Sequence, residues 1–343
     1  MTTRPPSLGT NTELILERLR TLPKAEVHVH LEGAFDARLL AKWAGEAGIA
    51  LPRPQERLFE FSGLADFLGF LDWSCRLPDN AARVQELAYA FAQRLSRDGT
   101  TYADLIFNPT HWSPWHGRLR QLLDALHAGF SAAEVDGLPQ VGLCVSLLRS
   151  QSSDQAIELV DCLVQWRHPR VVALSVDGNE AVAGRTGPRF AAAFRRAAKA
   201  GLKRTVHAGE SSGPEGVRDA VELLGADRID HGIRAIEDPA VVALLAERQI
   251  PLAICPTSNI SLKVVATLAE HPIDRLRRAG VLVSINTDDP GLLATTLPRE
   301  YALCQAQFGW SDPVIADLAG NAIRASFAPP DLQASLLHDL TRW

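Results

Sequence analysis

Short, apolar, β-rich runs alternate along this chain with longer stretches in which apolar residues recur every three or four positions. The short runs are Ala25–Leu31, Tyr102–Phe107, Val141–Leu147, Val171–Val176, Arg204–His207, Arg228–Asp230, Leu252–Cys255 and Leu282–Asn286, eight in all. Helical periodicity marks Glu13–Leu22, Asp36–Glu46, Ala81–Ser96, Leu119–Ala133, Asp154–Gln165, Arg189–Ala200 and Pro214–Leu224, the last with proline placed for a first helical turn. Strands that alternate with helices predict a parallel sheet, and eight such units predict an α/β fold of the (β/α)8 TIM-barrel type.

Two stretches depart from the rhythm. Leu51–Asn80 is inserted after the first strand and its helix and carries Phe59, Phe61, Phe67, Phe70 and Trp73, which predicts a helical lid segment over a pocket. Arg299–Trp343 extends past the eighth strand as a helical tail. No stretch reads as a flexible linker or a low-complexity segment, so residues 1–343 are expected to form one domain, with the polar, proline-containing leader Met1–Thr10 poorly ordered.

Composition narrows the function classes. At 343 residues and 46% hydrophobic the chain has material for one large core or two ordinary ones. A formal charge of −5 and the absence of long Lys/Arg runs argue against nucleic acid and anionic membranes as partners. No run approaches the roughly 18 apolar residues of a membrane span, and the N-terminus lacks the basic-then-apolar layout of a signal peptide. Five cysteines without C-x-x-C spacing read as reduced, mostly buried thiols, and the expectation is a cytoplasmic protein, with homo-oligomerisation left open.

Polar residues gather at or just beyond the C-terminal ends of seven of the eight runs: His28 and His30, Asn108, Asp177, His207, Asp230 and His231, Thr257 and Ser258, Asp288 and Asp289. Barrel enzymes build their active sites at that end. Strand side chains alternate between faces, so His28-Val29-His30 points both imidazoles the same way, into the barrel mouth. A lone histidine is more often a hydrogen-bonded core residue, but the paired spacing favours a shared ion. His207 ends the fifth strand and is followed by Ala208-Gly209-Glu210, where Gly209 permits a sharp turn and Glu210 brings a carboxyl to the mouth. Asp288-Asp289-Pro290 also spells an ordinary turn, yet adjacent carboxylates repel unless a cation or proton relieves them. Three imidazoles and one carboxylate, from His28, His30, His207 and Asp288, suit one divalent transition metal with a water at an open position. Zinc is the usual choice, and iron, cobalt and manganese also fit.

From Leu22 onward the chain resembles the adenosine deaminase family of the amidohydrolase superfamily. The segments that carry the resemblance, in order, are Leu22-Pro23-Lys24-Ala25-Glu26, His28-Val29-His30-Leu31-Glu32-Gly33, His207-Ala208-Gly209-Glu210, Asp230-His231-Gly232, Cys255-Pro256-Thr257-Ser258-Asn259 and Asn286-Thr287-Asp288-Asp289-Pro290. The resemblance implies a single Zn2+ per chain held by His28, His30, His207 and Asp288, and replacement of a purine 6-amino group by oxygen with release of ammonia. It implies that Glu210, His231 and Asp289 act on substrate and water: Glu210 as the acid that protonates N1, its pKa raised by desolvation, His231 as a base or an electrostatic stabiliser, and Asp289 at the N7 edge. His30, Glu32, Gly178 and Asp289 would contact a small aminopurine substrate. Zinc supplies hydroxide at neutral pH by lowering the pKa of its water from about 15.7 to about 7.

The substrate-side positions divide. Many nucleoside-acting members of the family have Asp where this chain has Glu32, and Glu32 and the Asp230-His231-Gly232 spelling resemble adenine-acting members, whereas Gly178 resembles the nucleoside deaminases. Adenosine or a related nucleoside is the first expectation, with adenine or an N6- or 5′-modified aminopurine as the alternative. Trp73, Trp112 and Trp115, with Phe61 and Phe67, either wall such a pocket or pack the core. A two-metal hydrolase would want a bridging lysine on the fourth strand, and Val171–Val176 has none. The nucleic-acid-editing deaminases place zinc on Pro-Cys-x-x-Cys, also missing here. A catalytically idle purine-binding protein would be expected to lack a ligand or the acid, and all are present.

Overall fold

The computed structural model describes residues 12–61 and 64–343. All eight runs are strands: β1 Ala25–His30, β2 Tyr102–Phe107, β3 Gln140–Leu148, β4 Val171–Asp177, β5 Lys203–Ala208, β6 Arg228–His231, β7 Leu252–Ile254 and β8 Val283–Ile285. They pair in parallel in the order β1 to β8. The strand ends differ from the sequence reading by at most one residue, because ladder bonds, not composition, decide where a strand stops.

Closure between β8 and β1 uses a device that the pattern did not disclose. Asp288 lies beyond β8 but bridges Val29, donating its N–H to the His28 carbonyl and accepting from the His30 N–H. Nearer the start of β1, the Asn286 side-chain oxygen accepts from the Val27 and His28 N–H groups at 2.8 and 3.2 Å. An amide oxygen thus stands in for a missing backbone carbonyl, and the same turn that seals the barrel delivers Asp288.

Helices cover the barrel because each presents one apolar stripe. Ala81–Arg97 buries Val84, Leu87, Ala88, Phe91, Ala92 and Leu95, and Leu119–Val135 packs beside it with Phe130 edge-on to Phe91. The predicted Pro214 helix start is observed. The tail forms Leu297–Phe308, Asp312–Ala325 and Pro330–Leu340. Its Ile323, Ala328 and Leu336 pack with Ala25, Val27, Tyr102 and Ala253, mostly from the beginnings of strands, and so close the floor.

That floor also holds a buried charge cluster. Arg228 sits between Asp104 (2.7 Å) and Asp230 (3.4 Å), donates to the Ala325 carbonyl and lies over the Phe327 ring. The tail is therefore tied to β2 and β6 by charge as well as by apolar burial.

In the insertion, Gln55–Arg57 forms a 3-10 turn and Leu64–Ser74 a helix. Phe59, Phe61 and Trp73 ring Phe70 at centroid distances of 5.3–5.7 Å. The leader Met1–Thr10 and the Phe67 side chain lie outside the described residues. The cysteines are free, four of the five buried, as the sequence implied. Among the described residues no helix is long and apolar enough to cross a membrane.

Candidate active site

The period-two spacing on β1 does what strand geometry requires. The His28 and His30 Nε2 atoms both meet His207 Nε2 from β5, at 3.1 and 2.9 Å. Asp288 Oδ1 stands 3.3 Å from His28 Nε2 and 3.4 Å from His30 Nε2. Three ring nitrogens and a carboxylate oxygen thus converge on one point. Lone pairs crowded this closely repel one another unless a proton or a cation lies among them.

The outward nitrogens explain which lone pairs point in. His28 Nδ1 lies 2.9 Å from the Ala253 carbonyl, which can only accept, so Nδ1 carries the proton and Nε2 is free to ligate. His207 Nδ1 faces Asp230 Oδ2 at 3.4 Å, within ion-pair reach though not aligned as a hydrogen bond. Ser258 Oγ donates to Asp288 Oδ2 at 2.6 Å, which turns Oδ1 toward the imidazoles.

Charge follows the same logic. Burial works against a charge on His28, but Asp230 and Asp288 outweigh it and lift its pKa to about 9, so a cation bound at Nε2 would displace a proton held there. His207 falls well below the usual range through burial and its histidine neighbours. Asp288 sits well below the carboxylate range, since His28 and His231 overcome its burial, whereas burial and the Asp288 charge hold Asp289 well above it. Of two adjacent carboxyls, one is therefore pushed toward the ionised form and the other toward the protonated one, as their repulsion demands.

A second set of donor atoms, from His28, His231, Cys255 and Asp288, also lies close together. It fits a metal less well. Burial holds the Cys255 thiol well above its ordinary pKa, and Cys255 Sγ approaches the protonated Nδ1 side of His28.

Around this point stand the other residues singled out in the sequence. Glu210 Oε1 is 3.5 Å from His231 Nε2, buried and without a hydrogen-bond partner. Burial first, then the charges of Asp288 and Glu180, push the Glu210 pKa up to about 8, in the expected direction. Asp289 reaches the mouth beside Gly33, where a Cβ would lie 1.8 Å from Asp289 Oδ1, so only glycine fits. His231 and Asp288 both have left-handed backbones, φ 65° and 66°. Such conformations cost non-glycine residues about 1–3 kcal/mol and cluster at functional sites. Gly209, at φ 64°, supplies the expected turn.

Glu32 is buried at the end of β1. Its Oε1 accepts from the Asn108 N–H at 2.9 Å and from Trp112 Nε1 at 2.7 Å, while its Oε2 is buried without a partner. Trp112 thus holds an acid in place, and Trp115 is spent on the Pro78 carbonyl. Gly178, at φ 98°, turns the chain after β4 so that its carbonyl accepts from Arg149 Nε.

Sequence reasoning missed the supports behind this shell. The Glu180 carboxylate accepts from four successive backbone N–H groups, Gly209 to Ser212, at 2.9–3.3 Å, and so holds the loop that carries Glu210. Arg149 ties the Gly178 and His207 carbonyls and Thr186 together beside it. Asn259 and His271 line up behind His231. Asn259 closes the Cys255–Asn259 segment that carries the family resemblance, though with no role assigned to it there; His271, Arg149 and Glu180 have no local signature, and Asn179-Glu180 reads as a helix start. A cavity of about 590 Å3 has Glu210 in its wall and runs between Ile233–Glu237 and Leu262–Ala266, within the size range of small-molecule sites.

A closed parallel barrel with this polar cluster at its mouth defines the class, a hydrolase built on a TIM barrel. The adenosine deaminase family profile matches residues 23–343, and the chain belongs to that family. It is 33% identical over 328 residues to an adenosine deaminase from Erwinia tasmaniensis, covering 92% of this chain and 97% of the relative. It is 36% identical over 312 residues to an aminodeoxyfutalosine deaminase from Streptomyces coelicolor, covering 89% and 80%. An adenine deaminase crystal structure from Arthrobacter aurescens superposes with a TM-score of 0.87 at 31% identity, covering 94% of this chain and 99% of that one. A zinc-bound amidohydrolase from Burkholderia ambifaria superposes with a TM-score of 0.88 at 26% identity, covering 99% and 94%. The protein is a deaminase, and its relatives act on different aminopurines.

Proposed function

We propose that this chain is a zinc-dependent hydrolytic deaminase that converts a 6-aminopurine, adenosine or a related nucleoside, to the 6-oxopurine and ammonia. The observation that carries the reading is the convergence of three imidazole Nε2 atoms and Asp288 Oδ1 beside Glu210, a half-buried acid whose Oε1 is enclosed and whose pKa is raised to about 8. His28, His30, His207 and Asp288 would hold one Zn2+, and the zinc-bound relative supports that choice of metal. When bound, the ion supplies hydroxide at neutral pH.

The remaining chemistry belongs to side chains. Attack at C6 drives electron density onto N1, and the protonated Glu210 donates there, because burial keeps its proton at pH 7. Asp289, also held protonated, donates to N7 and fixes the ring orientation. His30, the one ligand with appreciable exposure, faces the substrate, as does the backbone at Gly178. The free thiols fit a reducing compartment such as the cytoplasm.

A second reading, adenine itself or an N6- or 5′-modified aminopurine as substrate, is favoured by Glu32. Its side chain is pinned from two sides with Oε2 unspent, a poor neighbour for a ribose hydroxyl that expects a shorter acid and a ready acceptor for a purine N–H. Following ammonia release from adenine, adenosine and N6- or 5′-substituted analogues tests both. Turnover of at least one 6-aminopurine is expected, the Glu32 reading requires adenine or a modified purine to exceed adenosine in kcat/KM, and release from none of the panel would sink the proposal.

A further inference from the structure

His231 touches the site through Nε2, and whether that nitrogen offers a proton or a lone pair decides what it can do. The answer can be traced from a backbone group whose role is fixed. The Ile273 N–H can only donate, and it points at His271 Nδ1, 3.2 Å away, so that nitrogen bears the lone pair. His271 is buried and its pKa is lowered by that burial to about 4, so the ring is neutral and its one proton is on Nε2. Nε2 lies 3.1 Å from Asn259 Oδ1, which accepts. The Asn259 amide is thereby oriented with Nδ2 toward His231 Nδ1 at 3.2 Å, and an NH2 group can only donate. His231 Nδ1 must bear a lone pair, and the ring proton must be on Nε2.

We propose that Ile273, His271 and Asn259 form a hydrogen-bond relay that locks His231 in the Nε2–H tautomer, making Asn259 and His271 positioning residues for the deaminase reaction. The far side is compatible: the ionised Asp288 places Oδ2 3.7 Å from His231 Nε2, and the Glu210 carboxyl places Oε1 at 3.5 Å, both oxygens that can face a proton there. His231 therefore presents a proton to the mouth. Between the two roles open to it, base or electrostatic stabiliser, the relay selects the second: it donates to negative charge that builds on the attacking oxygen and does not start the reaction by accepting a proton. Asn259 is in the short helix Pro256–Ser261 after β7, and His271 lies a further 12 residues along the chain. The tautomer is thus set by an element that supplies no ligand.

The kinetic part rests on the deaminase reading; the tautomer part does not. Nitrogen-15 NMR of the zinc-loaded chain, with the His231 signal identified by its loss in His231→Gln, reads the tautomer directly. The proton should reside on Nε2 in the unmodified chain. Asn259→Asp replaces the donor by an acceptor and should move the proton to Nδ1, with kcat lower by about ten-fold or more and KM within about three-fold. Should that variant not fold, His271→Ala frees the Asn259 amide to rotate and should leave the proton shared between the two nitrogens. A proton on Nδ1 in the unmodified chain, or an unchanged His231 signal in either variant, overturns the relay. A moved proton with unchanged kcat overturns its part in the reaction. If instead no aminopurine is turned over while the tautomer is Nε2–H, the deaminase reading fails and the relay stands.

Discussion

At the scale of single residues, the proposed chemistry depends on keeping two acids protonated beside a group that must stay ionised. Glu210 is the test case, because burial sets its state. Glu210→Gln keeps the shape and removes the transferable proton, so turnover should fall by about 100-fold or more with zinc content unchanged. Near-normal turnover would contradict the acid role. The raised pKa also fixes a sign. The proton is present at neutral pH and leaves as pH rises, so kcat should decline on the alkaline side, at about 8 or lower once a bound cation adds its own pull. A kcat that climbs steadily through pH 9 would speak against it. The ligand assignment separates in the same way: His207→Ala should lose metal and activity, whereas Cys255→Ala should keep its metal, as measured by metal analysis of the purified variants. Most of this scale was legible in the sequence because strand alternation fixes which side chains share a face. His271, Glu180 and Arg149 were not, and Asn259 stood in a recognised segment without a role, since their significance comes from partners across loops that no local pattern specifies.

At the scale of elements, the eight strands and their order follow from hydrophobic periodicity, but closure does not. β8 and β1 are joined by an asparagine side chain and by the backbone of a metal-ligand candidate. Asn286→Ala would leave two buried N–H groups of β1 without an acceptor. A loss of about 1–3 kcal/mol in unfolding free energy is expected, together with weaker zinc binding, because His28 and Asp288 both hang on this seam. Denaturant melts with and without chelator would read the two effects. Equal stability of variant and parent would show that the seam is carried elsewhere. The sequence placed Asn286 in a strand and Asp288 at its end, and only the register shows one amide serving both jobs.

At the scale of the whole molecule, the tail does more than follow the barrel. Its helices seal the floor, and Arg228 links that floor to the site through Asp230, which faces His207. Arg228→Ala would strand Asp104 and Asp230 in the core, and a destabilisation of about 3–5 kcal/mol is expected by chemical denaturation. A stability change below about 1 kcal/mol would mean that water or a neighbour replaces the guanidinium. The tail was recognisable as helix from its periodicity, but its docking was hidden, since Phe327 and Ala325 meet β2 and β6 across some hundred residues or more.

On the proposed chemistry, aminopurine deamination requires one metal ion, held by His28, His30, His207 and Asp288. Chelator-stripped protein titrated with zinc, with ammonia release as the readout, tests it most directly. Activity should start near zero, rise linearly and stop at one equivalent per chain; full activity without metal, or a break at two equivalents, would contradict the account.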